Sequence, residues 1–211
     1  FQKDGATINT PDNLEAAQHL DGWIKAGYFP SDANAIEYFQ MMSRYIGGEG
    51  LFMFNGDWES GNLDANAAGK FGFFIMPSVE EDGRHATMSA PLTFGIAANA
   101  ANPDCAAFFL DWVATNEEAR KINVAVGGSN PGGPTDLPMP AVEPGSVTEA
   151  SLAAGQILAE DNGAMDFIAN ATGAIFAAGW TPELQKMVGG QQTPEGLLEA
   201  VQEEYETQLS R

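Results

Sequence analysis

Apolar residues recur at helical spacing over most of this chain and bunch into short continuous runs at three places. Thr10-Pro11-Asp12 has the form of a helix start, with Thr as N-cap, Pro in the first turn and an acid behind it. Leu14, Ala17, Leu20 and Ile24 then share one face, and Gly27 ends the element. A second helix is expected after Ser31-Asp32, with Ile36, Phe39 and Ile46 inward and Gly47-Gly48 as its stop. A short helix follows from Asn62 to Ala68, closed by Gly69. Asn102-Pro103-Asp104 opens a helix through Phe108 to Val113, and a further short one is expected from Asn116 to Ile122.

The continuous apolar runs predict strands. Leu51 to Phe54 and Phe71 to Met76 have the length and composition of buried strands, the second ended by Pro77, and Leu92 to Ala98 is a third candidate. Residues 78–88 form a polar loop whose Glu80-Glu81-Asp82-Gly83 has turn composition. From residue 127 to 145 the chain is rich in Gly and Pro and shows no periodicity, which predicts a long irregular connection. Beyond it the pattern is helical almost to the end. Ser151 to Glu160 is broken by Asp161-Asn162-Gly163, and an Ala-rich stretch covers residues 164–178. Two Thr-Pro-Glu starts, at Thr181 and Thr193, open the last helices, with Leu184, Met187 and Val188 inward in one. The other buries Leu198, Val201, Tyr205 and Leu209 and exposes Glu195, Glu199, Glu203 and Glu206. The sum is an α/β class with a helix-rich C-terminal third.

Charge narrows the range of partners. The 211 residues carry 29 Asp and Glu against 9 Lys and Arg, a formal net charge of −20. Such a surface repels nucleic acid and anionic membranes, both of which need clustered cations. Aromatic residues at 10% argue for a packed core rather than disorder. The single cysteine, Cys105, excludes an internal disulfide, and its place in a helix with Phe108, Phe109 and Trp112 predicts burial. His19 and His85 lack ligand spacing, so no metal and no cofactor is expected. No apolar stretch approaches the length of a membrane span. The start at Phe1 suggests a processed protein or a fragment.

The stretch with most chemistry is Asn55-Gly56-Asp57-Trp58-Glu59, at the end of the first predicted strand. Asn-Gly is a strong turn signal, because both residues tolerate positive φ. An indole beside an amide and a carboxylate suits a polar ligand with an apolar face, such as a sugar. The same residues also suit a core Trp next to a solvated turn. Catalytic signatures are absent: there is no nucleophile elbow, phosphate loop or dinucleotide fingerprint. Asp57 and Glu59 supply the two carboxylates of a glycosidase only if they flank a scissile bond, and neighbours on one turn fall on one side of a sugar. A solvated pair capping the next helix is the simpler reading.

Four stretches together resemble the extracellular solute-binding proteins of carbohydrate ABC transporters, the maltose-binding-protein-like family 1. They are Phe39 to Trp58, Phe71 to Pro77, Phe94 to Ala97 with Asn102-Pro103 and Phe108 to Trp112, and Leu184 with Gly189 to Glu195. The resemblance covers nearly the whole chain, as the C-terminal half of that family. It implies a type II periplasmic-binding-protein fold, in which two α/β lobes close on a sugar. Residues 1 to about 75 and about 148–211 would belong to the C-terminal lobe. Residues from about 88 to 126 would return to the N-terminal lobe, with 127–147 as the crossing.

The resemblance further implies a binding component of an importer and not an enzyme, working outside the cytoplasmic membrane, in a periplasm or on a lipid anchor. Its partners would be a sugar or oligosaccharide, the permease subunits and the N-terminal half of the same protein. Trp58 matches the family's sugar-stacking Trp, while Asn55, Gly56 and Asp57 match its turn. Asp166 and Asn170 fall in a segment that lines the cleft, and Ser89, Pro91 and Thr93 fall where another cleft loop lies. Where the family usually has an aromatic, this chain has Asn170, Thr172 and Ala177; Trp180 either replaces it or packs between helices. The acidic balance also accommodates a cationic ligand such as a polyamine, and a secreted glycoside hydrolase using Asp57 and Glu59 is a third expectation.

Overall fold

A computed structural model describes residues 7–78, 80–81, 83–89, 94–128, 130–132, 136–166 and 173–209. Two compact units divide the chain, Phe1–Met41 with Asp166–Arg211, and Met42–Met165. Helix accounts for 58% of the structure and strand for 3%, so the fold is helix-rich with one small parallel sheet, compatible with an α/β or a mostly helical class.

The first unit is a helical cluster. Helix α1 (Pro11–Lys25) starts as its residues predict, with Thr10 Oγ1 accepting the Asn13 N–H at 3.2 Å. Near the C-terminus, a π-helical segment (Ile175–Trp180) runs without a break into α7 (Thr181–Val188), and α8 (Pro194–Leu209) follows. The π geometry has a local cause. Pro182 has no N–H for the carbonyl of Ala178, and its ring crowds that carbonyl. The turn widens, and the Thr181 N–H bonds to the Phe176 carbonyl five residues back.

The core of this unit forms around α8. Leu197, Leu198, Val201 and Tyr205 lie at or below 1% exposure and pack with Ile8, Ala17, Ile175 and Met187. Full burial of each of the aliphatic side chains contributes about 1.5–3 kcal/mol. Trp180 packs against the same cluster. Gln202 ties the N-terminal segment to α8 by accepting the Ile8 N–H at 2.7 Å. Glu183 is a buried carboxylate at the start of α7, held by Lys186 Nζ at 2.6 Å and Gln192 Nε2 at 2.5 Å. The Lys186 bond is the largest influence on Glu183 and holds its carboxyl below the ordinary range.

The second unit is assembled on α3 (Ser60–Ala67), which packs against α5 (Glu117–Gly127) and α6 (Val147–Glu160). Met42, Leu63, Ala67, Ala119, Val124, Val147, Leu152 and Ala154 are its buried apolar residues among the described ones. Asp64 binds the first turn of α6 with both oxygens. Oδ1 accepts the Val147 N–H at 2.7 Å, and Oδ2 accepts the Thr148 N–H at 3.0 Å and its hydroxyl at 2.6 Å. A carboxylate here satisfies two orphan helix donors and faces the positive end of the helix dipole. Gly128 caps α5 at φ +67, and a Cβ there would strike the Gly61 nitrogen and Ser60. Only glycine allows the end of α5 to meet the start of α3 this closely.

Helix α4 (Pro103–Thr115) packs on α5, and β1 (Thr87–Ser89) pairs with β2 (Ala164–Asp166). Beside that pair, His85 donates its N–H to Asp161 Oδ2 at 2.9 Å, and its Nδ1 lies 2.8 Å from the same oxygen. These contacts lower the Asp161 pKa, the backbone bond first.

Most helix expectations agree with the structure to within a few residues, and the Gly83 N–H closes the expected turn onto the Glu80 carbonyl at 3.0 Å. The strand expectations and two burial expectations need correction. Residues 51–54 and 71–76 are irregular and enter no ladder among the described residues. Of the third predicted strand, residues 94–97 are irregular and residues 92 and 93 lie outside the described residues. Phe39, expected inward, is 82% exposed in α2 (Tyr38–Ile46), where Met42 takes the buried position. Cys105 is exposed, because α4 buries none of its residues. The Ala-rich stretch also begins with β2 rather than with helix.

Two substitutions probe these contacts. Asp64→Ala should cost about 1–3 kcal/mol, read as a lower thermal midpoint, with Asp64→Asn recovering part of the loss. Because the folded pKa of Glu183 is depressed, its stabilisation is present above the unfolded value and disappears as pH falls through the folded one. Glu183→Gln should therefore flatten the stability profile measured between about pH 5 and pH 3.

Candidate functional site

The predicted site turn lies where α3 begins. A short 3-10 turn (Asp57–Glu59) leads straight into that helix, so the turn inherits the rigidity of the α3–α5–α6 packing. The ring of Trp58 lies across the backbone of Gly56, where an added Cβ would collide with its six-membered edge. Trp58 remains 57% exposed. A large apolar face is thus held on a fixed backbone and offered to solvent.

Asp57 accepts two hydrogen bonds from Asn130, from its N–H at 3.0 Å and from Nδ2 at 3.3 Å. Both go to Oδ2, so Oδ1 has no hydrogen-bond donor among the described residues. Asn130 Nδ2 also reaches the Ser151 carbonyl at 3.4 Å, and Ser151 Oγ donates to the Gly128 carbonyl at 3.3 Å. The carboxylate beside Trp58 is therefore tied to the Gly/Pro-rich segment and through it to α6.

Asn55 faces the interior of its own turn. Its Oδ1 accepts the Gly56 N–H at 2.9 Å, and its Nδ2 lies 3.4 Å from the Met42 sulfur and 3.8 Å from that of Met53. Glu59 is buried, with Oε2 accepting from Asn62 Nδ2 at 2.8 Å. Beside it, Ser60 Oγ is buried with no partner among the described residues. Asp57 and Glu59 thus face different partners, one the Asn130 segment and the other the first turn of α3.

The other predicted positions are distributed as follows. Ser89 is half-buried at the end of β1. Asp166 closes β2; its backbone is described and its side chain is not. Asn170 and Thr93 lie outside the described residues, as do Pro91 and Thr172. The structure therefore brings Asn55, Gly56, Asp57 and Trp58 together as one local unit, and adds Asn130 to it. Asn130 carries no sequence signal of this role. It stands 73 residues from Asp57, in a segment whose Gly and Pro content predicts only irregular backbone.

Comparison with protein-family models finds no match, and comparison with curated proteins finds none either.

Removing the anchor should loosen its partner. In Asp57→Ala, the Asn130 amide should exchange with deuterium about tenfold faster than in the parent, while the amides in the middle of α6 keep their rates.

Proposed function

We propose that this chain is the C-terminal half of an ABC importer's substrate-binding component, with the type II periplasmic-binding-protein fold, and that it captures a sugar or oligosaccharide. The observation that carries this reading is Trp58, a mostly exposed indole held against the Gly56 backbone beside an anchored carboxylate. An indole face covers the C–H face of a pyranose, and a carboxylate oxygen accepts its hydroxyl protons. Asp57 Oδ1, which accepts no hydrogen bond among the described residues, provides an acceptor next to Trp58 in the chain. The burial of Glu59 and its bond to Asn62 support a binding role over glycoside hydrolysis, which needs a second carboxylate facing the substrate.

In this reading the opposing wall of the cleft comes from an N-terminal half, and closure of the two lobes on the ligand is the whole mechanism. The permease receives the closed form on the outer face of the membrane. Direct binding energy then resides in a stacking surface and a few hydrogen bonds, without a cofactor.

Calorimetric titration of neutral oligosaccharides into the polypeptide carrying both lobes tests the proposal. Binding is expected, with Trp58→Ala weakening it at least tenfold. Unchanged sugar affinity in that variant would reject the stacking role. Spermidine binding in place of sugar would transfer the site to cationic ligands, and sugar hydrolysis abolished by Asp57→Asn would make the protein an enzyme.

A further inference from the structure

Glycine inside a helix is costly, since only proline is a poorer helix former. Gly155 lies in the interior of α6, and its φ is not in the left-handed region that would call for glycine. What the residue supplies there is space. A Cβ at Gly155 would collide with Oδ1, Cγ and Nδ2 of Asn130. The Asn130 amide is thus seated directly on the α6 backbone. From that seat Nδ2 donates to Asp57 Oδ2 at 3.3 Å and to the Ser151 carbonyl, one turn earlier in α6, at 3.4 Å.

The backbones on both sides of this contact are anchored. The start of α6 is held by Asp64 through the Val147 and Thr148 N–H groups. The Asn130 backbone is held by its own N–H, which donates to Asp57 Oδ2 at 3.0 Å. Two residues further on, Arg120 fixes the same segment. Its side chain is buried, and Nη1 donates to the Gly132 carbonyl at 2.6 Å and to the Ala114 carbonyl, in the last turn of α4, at 3.1 Å. Hydrogen bonds from a guanidinium are charge-assisted and stronger than neutral ones. The side chain of Asn130 is therefore the part that gives way when its seat is filled.

We infer that Gly155 is a positioning residue of the candidate site and acts through Asn130. By leaving room for the amide it sets Nδ2 on Asp57 Oδ2, which fixes the rotation of the carboxylate and leaves Oδ1 to a ligand hydroxyl. The inference rests on the proposed capture of a sugar at Trp58 and Asp57. A methyl group at position 155 turns the Asn130 side chain off α6, and Asp57 keeps only the bond from the Asn130 N–H. A carboxylate held by two donors is ordered before the ligand arrives. Held by one it turns more freely, and binding then bears the cost of ordering it.

Two measurements test this together: amide spectra of the 211-residue chain, and calorimetric titration of oligosaccharide into the polypeptide carrying both lobes. In Gly155→Ala the side-chain NH2 resonances of Asn130 should shift to those of a free amide, with an unchanged far-ultraviolet circular dichroism spectrum. Sugar affinity should fall about fivefold. In an Asn130→Ala background, Gly155→Ala should cost no further affinity, because no amide is left to displace. There it should raise the thermal midpoint, as alanine in a helix ordinarily does. Gly22→Ala, in the open interior of α1, should raise the midpoint and leave affinity unchanged. Should Gly155→Ala alone not fold, recovery in the Asn130→Ala background supports the contact, and failure there overturns it. Unshifted Asn130 resonances in Gly155→Ala overturn the positioning role. So does unchanged affinity, or an affinity loss that persists without the Asn130 amide. A parent that binds no oligosaccharide, with the Asn130 resonances of Gly155→Ala shifted as expected, overturns the sugar reading and not the seating of Asn130.

Discussion

The candidate site depends on one carboxylate that is not part of it. Asp64 binds the first turn of α6 and so locks together two helices whose starts lie more than eighty residues apart in sequence. The pair fixes the start of α3, and the site turn is its direct extension. Helix ends need partners for their free N–H groups, and a carboxylate supplies them at the positive end of the dipole. Without that bond, α3 would be an eight-residue helix of little intrinsic stability.

On this base the turn solves a packing problem that also prepares it for binding. Gly56 lacks a Cβ, so the indole of Trp58 can rest on the backbone while more than half of the residue stays exposed. Asp57 spends one oxygen on Asn130. Glu59 turns inward to Asn62. Adjacent residues of similar chemistry thus take different roles, because a 3-10 turn sends successive side chains in different directions. Rigidity in the unliganded site lowers the entropy cost of binding, which favours a stacking surface held in advance.

The apolar runs at residues 51–54 and 71–76 follow a different logic. A strand's backbone is satisfied only across to another chain segment, so strand formation is not a local property. Residues 51–54 and 71–76 have strand composition, and residues 71–76 also show strand periodicity in exposure. Neither segment enters a ladder among the described residues. Their exposed apolar side chains are of the kind that folded surfaces reserve for contact with other polypeptide.

Helix starts were legible from the sequence alone, because capping is local: Thr10-Pro11, Asn102-Pro103, Asn116 and Thr193-Pro194 each satisfy their own first turn or fix its φ. The site turn was legible in place but not in form: Asn55 and Gly56 take no positive φ, and the chain turns instead at Asp57–Glu59. Burial was not legible. Phe39 and Cys105 fall on apolar helical faces, yet both face out, because a face is buried only where a second element covers it. Asn130 was equally hidden, since a hydrogen bond across 73 residues leaves no mark on either neighbourhood. The sequence determined where most helices begin and end and roughly where the turn falls. Tertiary structure alone decided which faces are covered and which distant segment holds Asp57, because both depend on contacts between residues that are not neighbours in the chain.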